Sequence, residues 1–178
     1  MILYYKVFKF ITFPLDEILK FKNSHIGDDE NKTLSIYDCF DISFNNKLLS
    51  GEKNYYCTNC KMKTNCQYES QIYLVPDILI IILKDSTLEV TLDFNETINI
   101  ASFVLNNDYR SDFNYDLYAV VTCTYQNEEA STFIASCKNP IDNKWYKYED
   151  TNINEVLNFK KEVLKYETPY ILFYERKI

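Results

Sequence analysis

The segment DILIIILK, residues 77–84, constrains the fold of this chain more than any other stretch of its sequence. Its apolar run, residues 78–83, is mostly isoleucine, and β-branched side chains pack better on strands than in helices. The run is far too short to cross a bilayer as a helix. Pro76 interrupts any strand before it, because proline has no backbone N–H to donate. The segment therefore predicts a buried strand in the middle of a sheet.

Four more segments have the composition of strands, namely YDLYAVVTCTY, STFIASCKN, KWYKYED and PYILFYERK. Aromatic residues, which favour a pleated and half-buried surface, make up 16% of the chain. Residues 139–143 are expected to connect STFIASCKN and KWYKYED as a hairpin. With Gly27 and Gly51 as the only glycines, sharp turns must rely on Asn and Asp. We expect a mostly antiparallel sheet.

Helical periodicity is confined to shorter stretches. The segment up to about Leu15 is predicted to be a strand, followed by a short helix and an exposed polar loop, KNSHIGDDENK. Thr33 is predicted to cap one helix, and Asn154 to cap another in EVLNFKKEVLK. The apolar residues of the first helix are Leu34, Tyr37, Phe40 and Phe44, and those of the second are Val156, Phe159 and Val163. Together with the sheet, these helices predict an α+β fold.

The overall composition excludes several classes of function. Hydrophobic residues make up 47% of the chain and charged residues 25%, the balance of a folded globular domain. The net charge is −7, and the only arginines are Arg110 and Arg176, so no basic stripe is available for nucleic acid. No segment predicts a membrane span or a secretory signal. Six cysteines without such a signal predict reduced thiols in the cytosol or the nucleus.

Cys57 and Cys60 form a Cys-x-x-Cys pair within NYYCTNCKMKTNCQYESQIYLV, which predicts two strands bridged by a tight turn. In a reducing compartment, such a pair more often belongs to a metal or redox site than to a structural disulfide. The alternative is two reduced cysteines at the tip of a hairpin.

Six segments follow one another along the chain: LSIYDCF, YYCTNCK, LVPDILIIILK, YDLYAVV, CKNPIDNKWYKYED and PYILFYERK. In order and approximate spacing they resemble the C-terminal half of the catalytic domain of the ubiquitin-specific proteases, from about Val7 onward. The resemblance implies a papain-like fold with a mostly antiparallel palm, a β-hairpin element of the fingers that grip ubiquitin, and no thumb. It also implies one partial domain over residues 1–178, fingers-like to about residue 75 and palm-like over about 76–178.

Members of this family cleave isopeptide bonds to ubiquitin with a Cys-His-Asp/Asn triad, from which this chain departs. The nucleophile motif Gly-x-x-Asn-x-Gly-Asn-Thr-Cys does not occur in the sequence. Counting back from Cys137, the histidine position holds Thr132, whose hydroxyl is not basic enough to accept a thiol proton near neutral pH. The orienting aspartate position holds Glu149, and Asp150 follows it. The alternative for this acidic pair is a solvent-exposed turn.

The remaining site candidates are one histidine and the cysteine pair. His25 is the chain's only histidine and lies in the predicted polar loop, where we expect a surface residue rather than a catalytic base. The resemblance makes Cys57 and Cys60 half of a four-cysteine zinc ribbon whose other pair would fall just upstream of Met1. Cys39 and Cys66 are the nearby substitutes, and neither has ligand spacing. Zinc is therefore expected only if an upstream pair exists, and no other cofactor is expected.

Three functions remain open at this point. The first is an inactive pseudo-deubiquitinase that binds ubiquitin, a ubiquitinated protein or a larger complex. The second is a truncated or divergent piece of an active thiol-dependent deubiquitinase, which would need an unrecognised base. The third is a structural interaction fragment without ubiquitin affinity. Because segments that determine the fold, such as KWYKYED, persist while the catalytic positions differ, the sequence favours a retained binding or structural role.

Overall fold

The computed structural model describes residues 7–26, 32–44, 47–49, 55–84, 90–105, 113–127, 130–164 and 168–177. The helices are α1 (Leu15–Ile26) and α2 (Ile36–Phe44), with a 3₁₀ turn at Ala101–Phe103 and a π-helical turn at Lys160–Leu164. The first strands are β1 (Ile11–Pro14), β2 (Thr33–Ser35), β3 (Lys47–Leu49), β4 (Tyr55–Cys57), β5 (Met62–Thr64), β6 (Cys66–Tyr68) and β7 (Ile78–Lys84). They are followed by β8 (Thr91–Asp93), β9 (Thr97–Asn99), β10 (Asn114–Asn127), β11 (Ala130–Lys138), β12 (Trp145–Glu149), β13 (Asn152–Val156) and β14 (Thr168–Arg176). None of the described helices is long and apolar enough to cross a membrane.

One eight-stranded sheet dominates the fold. Its order is β1-β7-β14-β10-β11-β12-β13, and β9 pairs with the beginning of β10. Every pair in it is antiparallel except the pair of β1 with β7. Short hairpin connections are sufficient for antiparallel neighbours, which explains why β10 to β13 follow one another in space as they do in sequence. The predicted α+β class with a mostly antiparallel sheet is confirmed.

Strand β7 has the position that its sequence predicts. It lies between β1 and β14, so it is an interior strand of the sheet. Leu79, Ile81 and Leu83 are at most 3% exposed, whereas Ile80 and Ile82 are half-buried. Since side chains alternate along a strand, one face of the sheet covers the core and the other is only partly covered.

The core joins the N-terminal helices to the sheet. The ring of Phe40 on α2 contacts Phe13 on β1 edge to face at a centroid distance of 5.0 Å. It also stacks on Phe103 at 4.9 Å. Burying each such side chain stabilises the fold by about 1.5–3 kcal/mol. The same apolar cluster contains residues from before and after residue 75, so the two predicted portions of the domain share one interior.

The predicted cap of the first helix was wrong. Thr33 lies in β2, which pairs in parallel with β8, and α2 begins only at Ile36. Ser35 caps this helix: its Oγ accepts the backbone N–H of Asp38 at 3.0 Å, and Asp38 Oδ2 accepts the backbone N–H of Ser35 at 2.8 Å. This reciprocal capping box satisfies two backbone donors at once, which Thr33 cannot do from within a strand.

The predicted helix near the C-terminus was also wrong. Asn154 lies in β13, and only the π-helical turn follows. Asn158 provides the cap, because its Oδ1 accepts the N–H of Lys161 at 3.1 Å while Glu162 Oε1 accepts the N–H of Asn158 at 2.8 Å. The three apolar residues of the prediction are nevertheless buried, namely Val156, Phe159 and Val163.

The N-terminal segment differs from its prediction at two boundaries. The strand covers only Ile11–Pro14, and helix α1 begins at Leu15. The expected polar loop was wrong over residues 22–26, which continue α1, so His25 belongs to the last turn of a helix. Residues 27–31 of that loop lie outside the described residues.

Candidate functional site

Thr132 and Glu149 lie on neighbouring strands of the main sheet. β11 and β12 are antiparallel, and Ser136 pairs with Lys147. Side chains alternate along a strand, so Thr132 shares a face with Ser136, and Glu149 shares the same face with Lys147. Glu149 lies one residue beyond Tyr148, which forms the last pair of this ladder with Ala135, and extending the register puts it on the diagonal to Thr132. The structure thus brings together the positions that the resemblance assigns to histidine and to its orienting aspartate.

The sheet face around Thr132 is shielded from water. Ile134 is 5% exposed and Ser136 is fully buried, while Thr132 at the end of this row is partly buried. Thr122 on β10 is also buried, and its hydroxyl donates to the carbonyl of Ile134 at 3.3 Å. Ser136 Oγ is buried with no hydrogen-bond partner in the described part of the chain. Surroundings of this kind shift the pKa of groups that transfer protons. A base could therefore act at position 132, but the threonine hydroxyl there is not a base.

The chain's single imidazole belongs to a different part of the fold. His25 lies in the last turn of α1, and α1 packs against β1 and β7. In the sheet, β14 and β10 separate β7 from β11. That His25 is not a catalytic base remains a prediction.

Glu149 and Asp150 occupy different backbone positions, since Glu149 ends β12 and Asp150 lies in the turn that follows. Asp150 begins the turn between β12 and β13 and has φ 50°, a left-handed conformation that Asp tolerates better than most residues. Its side chain is exposed, whereas Glu149 at the end of β12 is partly buried. An exposed acidic turn therefore describes Asp150, and Glu149 is the carboxylate on the same face as Thr132.

Two of the cysteines, Cys39 and Cys137, are not activated as nucleophiles. Cys39 on α2 is fully buried, and burial raises its pKa to about 12. Burial also raises the pKa of Cys137 on β11. Because the thiolate is the attacking species, both residues remain in the unreactive protonated form near neutral pH. The position of Cys39 within a packed helix agrees with a structural cysteine.

Cys57 and Cys60 lie at the tip of the β4–β5 hairpin, where Lys61 closes the turn with φ 53°. The Cys57 sulfur accepts hydrogen bonds from the backbone N–H and the thiol of Cys60 and from the backbone N–H of Asn59, and these bonds lower its pKa. The interaction with Cys57 raises the pKa of the Cys60 thiol. The predicted hairpin is confirmed, but its second strand is divided, because Cys66 begins β6, which pairs with β3.

A four-ligand zinc site is not complete in the described residues. They contain no group of three or more His, Cys, Asp or Glu side chains that could hold a metal ion. Cys66 belongs to a separate two-stranded sheet, and Cys39 is enclosed in the core. Structural zinc requires four ligands in a tetrahedron. The cysteine pair supplies half of that set, so the described residues alone do not complete a zinc ribbon, and zinc binding with an upstream pair remains a prediction.

Sequence reasoning missed Thr122 and Ser136, the two fully buried polar residues of the described chain. Both lie in segments that were predicted to be strands, YDLYAVVTCTY and STFIASCKN. The alternation of side chains along a strand could have predicted the burial of Ser136. Ser136 is two residues from the apolar Ile134, so the two side chains lie on the same face of β11. Pairing of Thr122 with Ile134 then places the two hydroxyl groups on one side of the sheet.

Similar sequences among known proteins extend over most of the chain. The sequence profile described as ubiquitin carboxyl-terminal hydrolase matches residues 7–174. Ubiquitin carboxyl-terminal hydrolase Usp2 of Drosophila melanogaster is 29% identical over 151 residues, which cover 78% of this chain and 15% of that protein. Ubiquitin carboxyl-terminal hydrolase 12 of Saccharomyces cerevisiae is 28% identical over 175 residues, which cover 93% of this chain and 14% of that protein. The chain therefore spans about one seventh of the length of the curated relatives it matches.

A solved structure with a similar fold is a mutant SAGA DUB module Ubp8/Sgf11/Sus1/Sgf73 bound to monoubiquitin. One of its chains matches with a TM-score of 0.70 and 22% sequence identity, covering 96% of this chain and 36% of that chain. At this level of identity the likeness concerns the fold. It supports the predicted papain-like α+β architecture.

Proposed function

The chain belongs to the ubiquitin carboxyl-terminal hydrolase family, and from this membership we propose that it is a catalytically inactive member that binds ubiquitin or a ubiquitinated protein. Membership implies descent from thiol-dependent enzymes that remove ubiquitin from proteins. The proposed loss of hydrolysis rests on the residues of this chain, and the proposed binding rests on its sheet.

Thr132 is the single observation that carries the proposed loss of hydrolysis. It lies at the position that the resemblance assigns to histidine, on the strand next to Glu149 and on the same face. A triad needs a group that accepts a thiol proton near neutral pH, which imidazole does and a hydroxyl does not. In other hydrolases, loss of a triad residue lowers the rate by about 10⁴–10⁶. Without an imidazole, Glu149 has no base to orient.

The sheet that presents these positions supports the proposed binding. β10, β11 and β12 pair as consecutive antiparallel neighbours, and Trp145 on β12 is buried against Phe159 with ring centroids 4.1 Å apart. The solved neighbour is bound to monoubiquitin within a module of several proteins. By this likeness we assign ubiquitin, alone or carried by a larger complex, as the partner. The net charge of −7 argues against nucleic acid as an alternative partner.

The cysteines bear on location and on metal binding. Cysteines kept as thiols are usual in the reducing cytosol and nucleus, and we propose this compartment as the location of the chain. If a cysteine pair outside this chain completed the ribbon, Cys57 and Cys60 would hold zinc in a structural role. Imaging of the fluorescently tagged protein tests the location, and exclusive labelling of the secretory pathway would contradict it.

Two assays on the purified chain test the proposal. A ubiquitin probe with a cysteine-reactive group should leave the chain unlabelled, and a fluorogenic ubiquitin substrate should remain intact. Isotope-labelled chain should show resonance shifts on titration with ubiquitin but not with an unrelated protein of similar size. No shift at any ubiquitin concentration would remove the binding half of the proposal. Hydrolysis would instead support the alternative that this chain is a piece of an active enzyme.

A second candidate is an interaction fragment without ubiquitin affinity. It is favoured by apolar side chains on the outer face of the sheet, where Phe133 is 54% exposed, Tyr148 40% and Ile153 63%. Tyr148 pairs with both Ala135 and Ile153, and Phe133 lies two residues from Ala135 on the same face, so these side chains form one patch across three strands. Exposed apolar rows of this kind mark protein contacts. Concentration-dependent association without any response to ubiquitin would favour this candidate.

A further inference from the structure

Strand β13 forms an open edge of the main sheet. Within the described ranges it pairs with β12 alone, whereas β1 at the opposite edge ends in Pro14. Natural sheets usually protect their edges with proline, lysine, a bulge or a covering segment. β13 contains neither proline nor lysine, and its register with β12 is continuous. Residues 152–155 are all exposed, so this edge is accessible to another strand.

The pairing with β12 determines which backbone groups face the open side. Glu149 and Asn152 flank a two-residue turn and form the first pair of the ladder. Such a turn closes on a hydrogen-bonded pair, and in an antiparallel ladder these pairs alternate with non-bonded ones. The N–H and C=O groups of Ile153 and Glu155 therefore point away from β12. None of the described residues bonds to these four groups.

The side chains along this edge favour a symmetric pair centred on Ile153. Ile153 is 63% exposed and lies at the end of the apolar patch that contains Phe133 and Tyr148. With Ile153 on a twofold axis, the two isoleucines of an antiparallel pair face each other and the two patches join. A pair centred on Glu155 would instead oppose two carboxylates. Away from the axis, the carboxylate of Glu155 keeps its ion pair with Lys144 at 2.8 Å.

We propose that a second copy of this chain adds to the open edge of β13, antiparallel and with Ile153 paired to its own equivalent. Each Glu155 N–H then faces the Thr151 C=O of the other copy. That C=O points outwards, because the trans peptide directs the Asn152 N–H towards β12. On the opposite face, Asn152 lies across from Asn154 of the other copy, where two carboxamides can bond to each other. The two main sheets become one continuous sheet.

This association goes beyond the proposed function. β12 separates β13 from β11, the strand that carries Thr132. Edge pairing requires neither a catalytic base nor ubiquitin. Its failure would leave the proposed binding of ubiquitin untouched, and failure of that binding would leave the edge pairing untouched.

Sedimentation of the chain over a range of concentrations tests the proposal. Strands of five residues bury little area, so the dimer should be weak, with a Kd between about 10 µM and 1 mM. The 21.2 kDa monomer should shift towards twice this mass as the concentration rises. Larger species should not form, because a twofold pair uses the β13 edge of both copies.

Amide exchange measured by NMR locates the contact. The N–H groups of Ile153 and Glu155 should exchange about threefold slower once two thirds of the chains are paired, since only the monomer leaves them open. The N–H groups of Asn152, Asn154 and Val156 already bond to β12 and should not change. This alternation distinguishes edge pairing from the stacking of two sheets face to face, which leaves the edge open.

A charge at the axis should weaken the dimer. Ile153→Lys places two ammonium groups opposite each other and should raise the Kd by about tenfold or more. Ile141→Lys is the matched control, because Ile141 is 91% exposed and lies in the connection between β11 and β12. This control should leave the Kd unchanged.

Four results would overturn the proposal. One is a chain that remains monomeric up to about 1 mM. The second is a dimer in which the amides of Ile153 and Glu155 exchange as fast as in the monomer, and the third is a dimer that Ile153→Lys leaves intact. The fourth is protection of these amides only after an extended peptide of another sequence is added, which would assign the edge to a different partner.

Discussion

Position 132 illustrates how a single residue can meet the requirements of the fold without those of the chemistry. Threonine is β-branched, and side chains of that shape suit a pleated sheet. Thr132 on β11 pairs with Thr124 on β10. It lies on the same face of the sheet as the buried residues Ile134 and Ser136. The strand needs a residue of suitable shape there, and only catalysis needs an imidazole. The strand can therefore keep its place in the fold with threonine at this position.

Thr132→His should supply an imidazole without producing hydrolysis in this chain. Cys39 and Cys137 stay protonated, since burial raises the pKa of Cys39 to about 12 and raises that of Cys137 as well. Release of the fluorophore from a ubiquitin substrate between pH 6 and 8.5 should match the background rate. Adding Glu149→Asp, which restores the family's shorter carboxylate, should change nothing. Labelling of either variant by the cysteine-reactive probe would contradict this prediction and identify a reactive thiol.

Tyr174→Phe should destabilise the sheet through one lost hydrogen bond. Tyr174 is fully buried, and its hydroxyl donates to the carbonyl of Asn95 at 2.8 Å. Without that donor, the Asn95 carbonyl loses this part-buried hydrogen bond, and we expect the free energy of unfolding to fall by about 1 kcal/mol. In Tyr170→Phe, the control on the same strand, the ring retains its contact with Phe133 and the change should stay below about 0.5 kcal/mol. Equal losses in urea denaturation of the two variants would contradict the prediction.

Among the secondary-structure elements, α2 depends on one carboxylate. Asp38 Oδ2 accepts the backbone N–H of Ser35 and an N–H of Lys22 Nζ, each at 2.8 Å. Burial raises the pKa of Asp38, but the hydrogen bonds from Lys22 and Ser35 outweigh it and leave the pKa below its ordinary value of 3.8. A carboxyl whose pKa is lowered by folding stabilises the fold above its unfolded pKa. That stabilisation is lost as the pH falls below 3.8 and through the lowered value.

Asp38→Asn should therefore lower the free energy of unfolding at pH 7 by about 0.5–2 kcal/mol, the usual value of a helix cap. At pH 3 the difference between variant and parent should narrow, because the parent carboxyl is then losing its charge. Chemical denaturation at both pH values measures the two differences. Glu96→Gln, a change at an exposed residue, serves as the control and should have little effect at either pH. A difference of the same size at both pH values would count against the pH dependence.

Strands were predicted from the sequence more accurately than helices, for a physical reason. DILIIILK and YDLYAVVTCTY carry their strand preference in β-branched and aromatic residues, and both are strands in the structure. Near the C-terminus, the spacing of Val156 and Phe159 indicated a helix. A strand that runs into a tight turn buries the same residues, so burial alone did not distinguish the two. Thr33 was assigned to a cap because its partner strand β8 is remote in sequence.

For the molecule as a whole, the sequence pattern could not predict which distant strands pair with each other. β1 pairs with β7 through Ile11 and Ile81, and β14 enters between β7 and β10. Local composition indicates that each is a strand, but it does not specify the neighbour. The same limit applied to the prediction of the candidate site. Its positions, Thr132 and Glu149, came from the resemblance, and only the register of β11 and β12 showed that they share a face.

The main sheet and the cysteine hairpin should differ strongly in local stability. β10 has β11 on one side and β14 on the other, and Val120 and Leu172 in these strands are fully buried. The hairpin of β4 and β5 pairs only with itself, and none of its described side chains is buried. Since local opening becomes easier where few apolar contacts are buried, hairpin amides should exchange with solvent about 10³-fold faster than those of β10 or more.

Hydrogen exchange followed by mass spectrometry measures this difference on the metal-free chain. Peptides from β10 and β14 should exchange last and together, because both open only when the sheet unfolds. Hairpin amides as well protected as those of β10 in the absence of metal would show that the tip is packed into the domain.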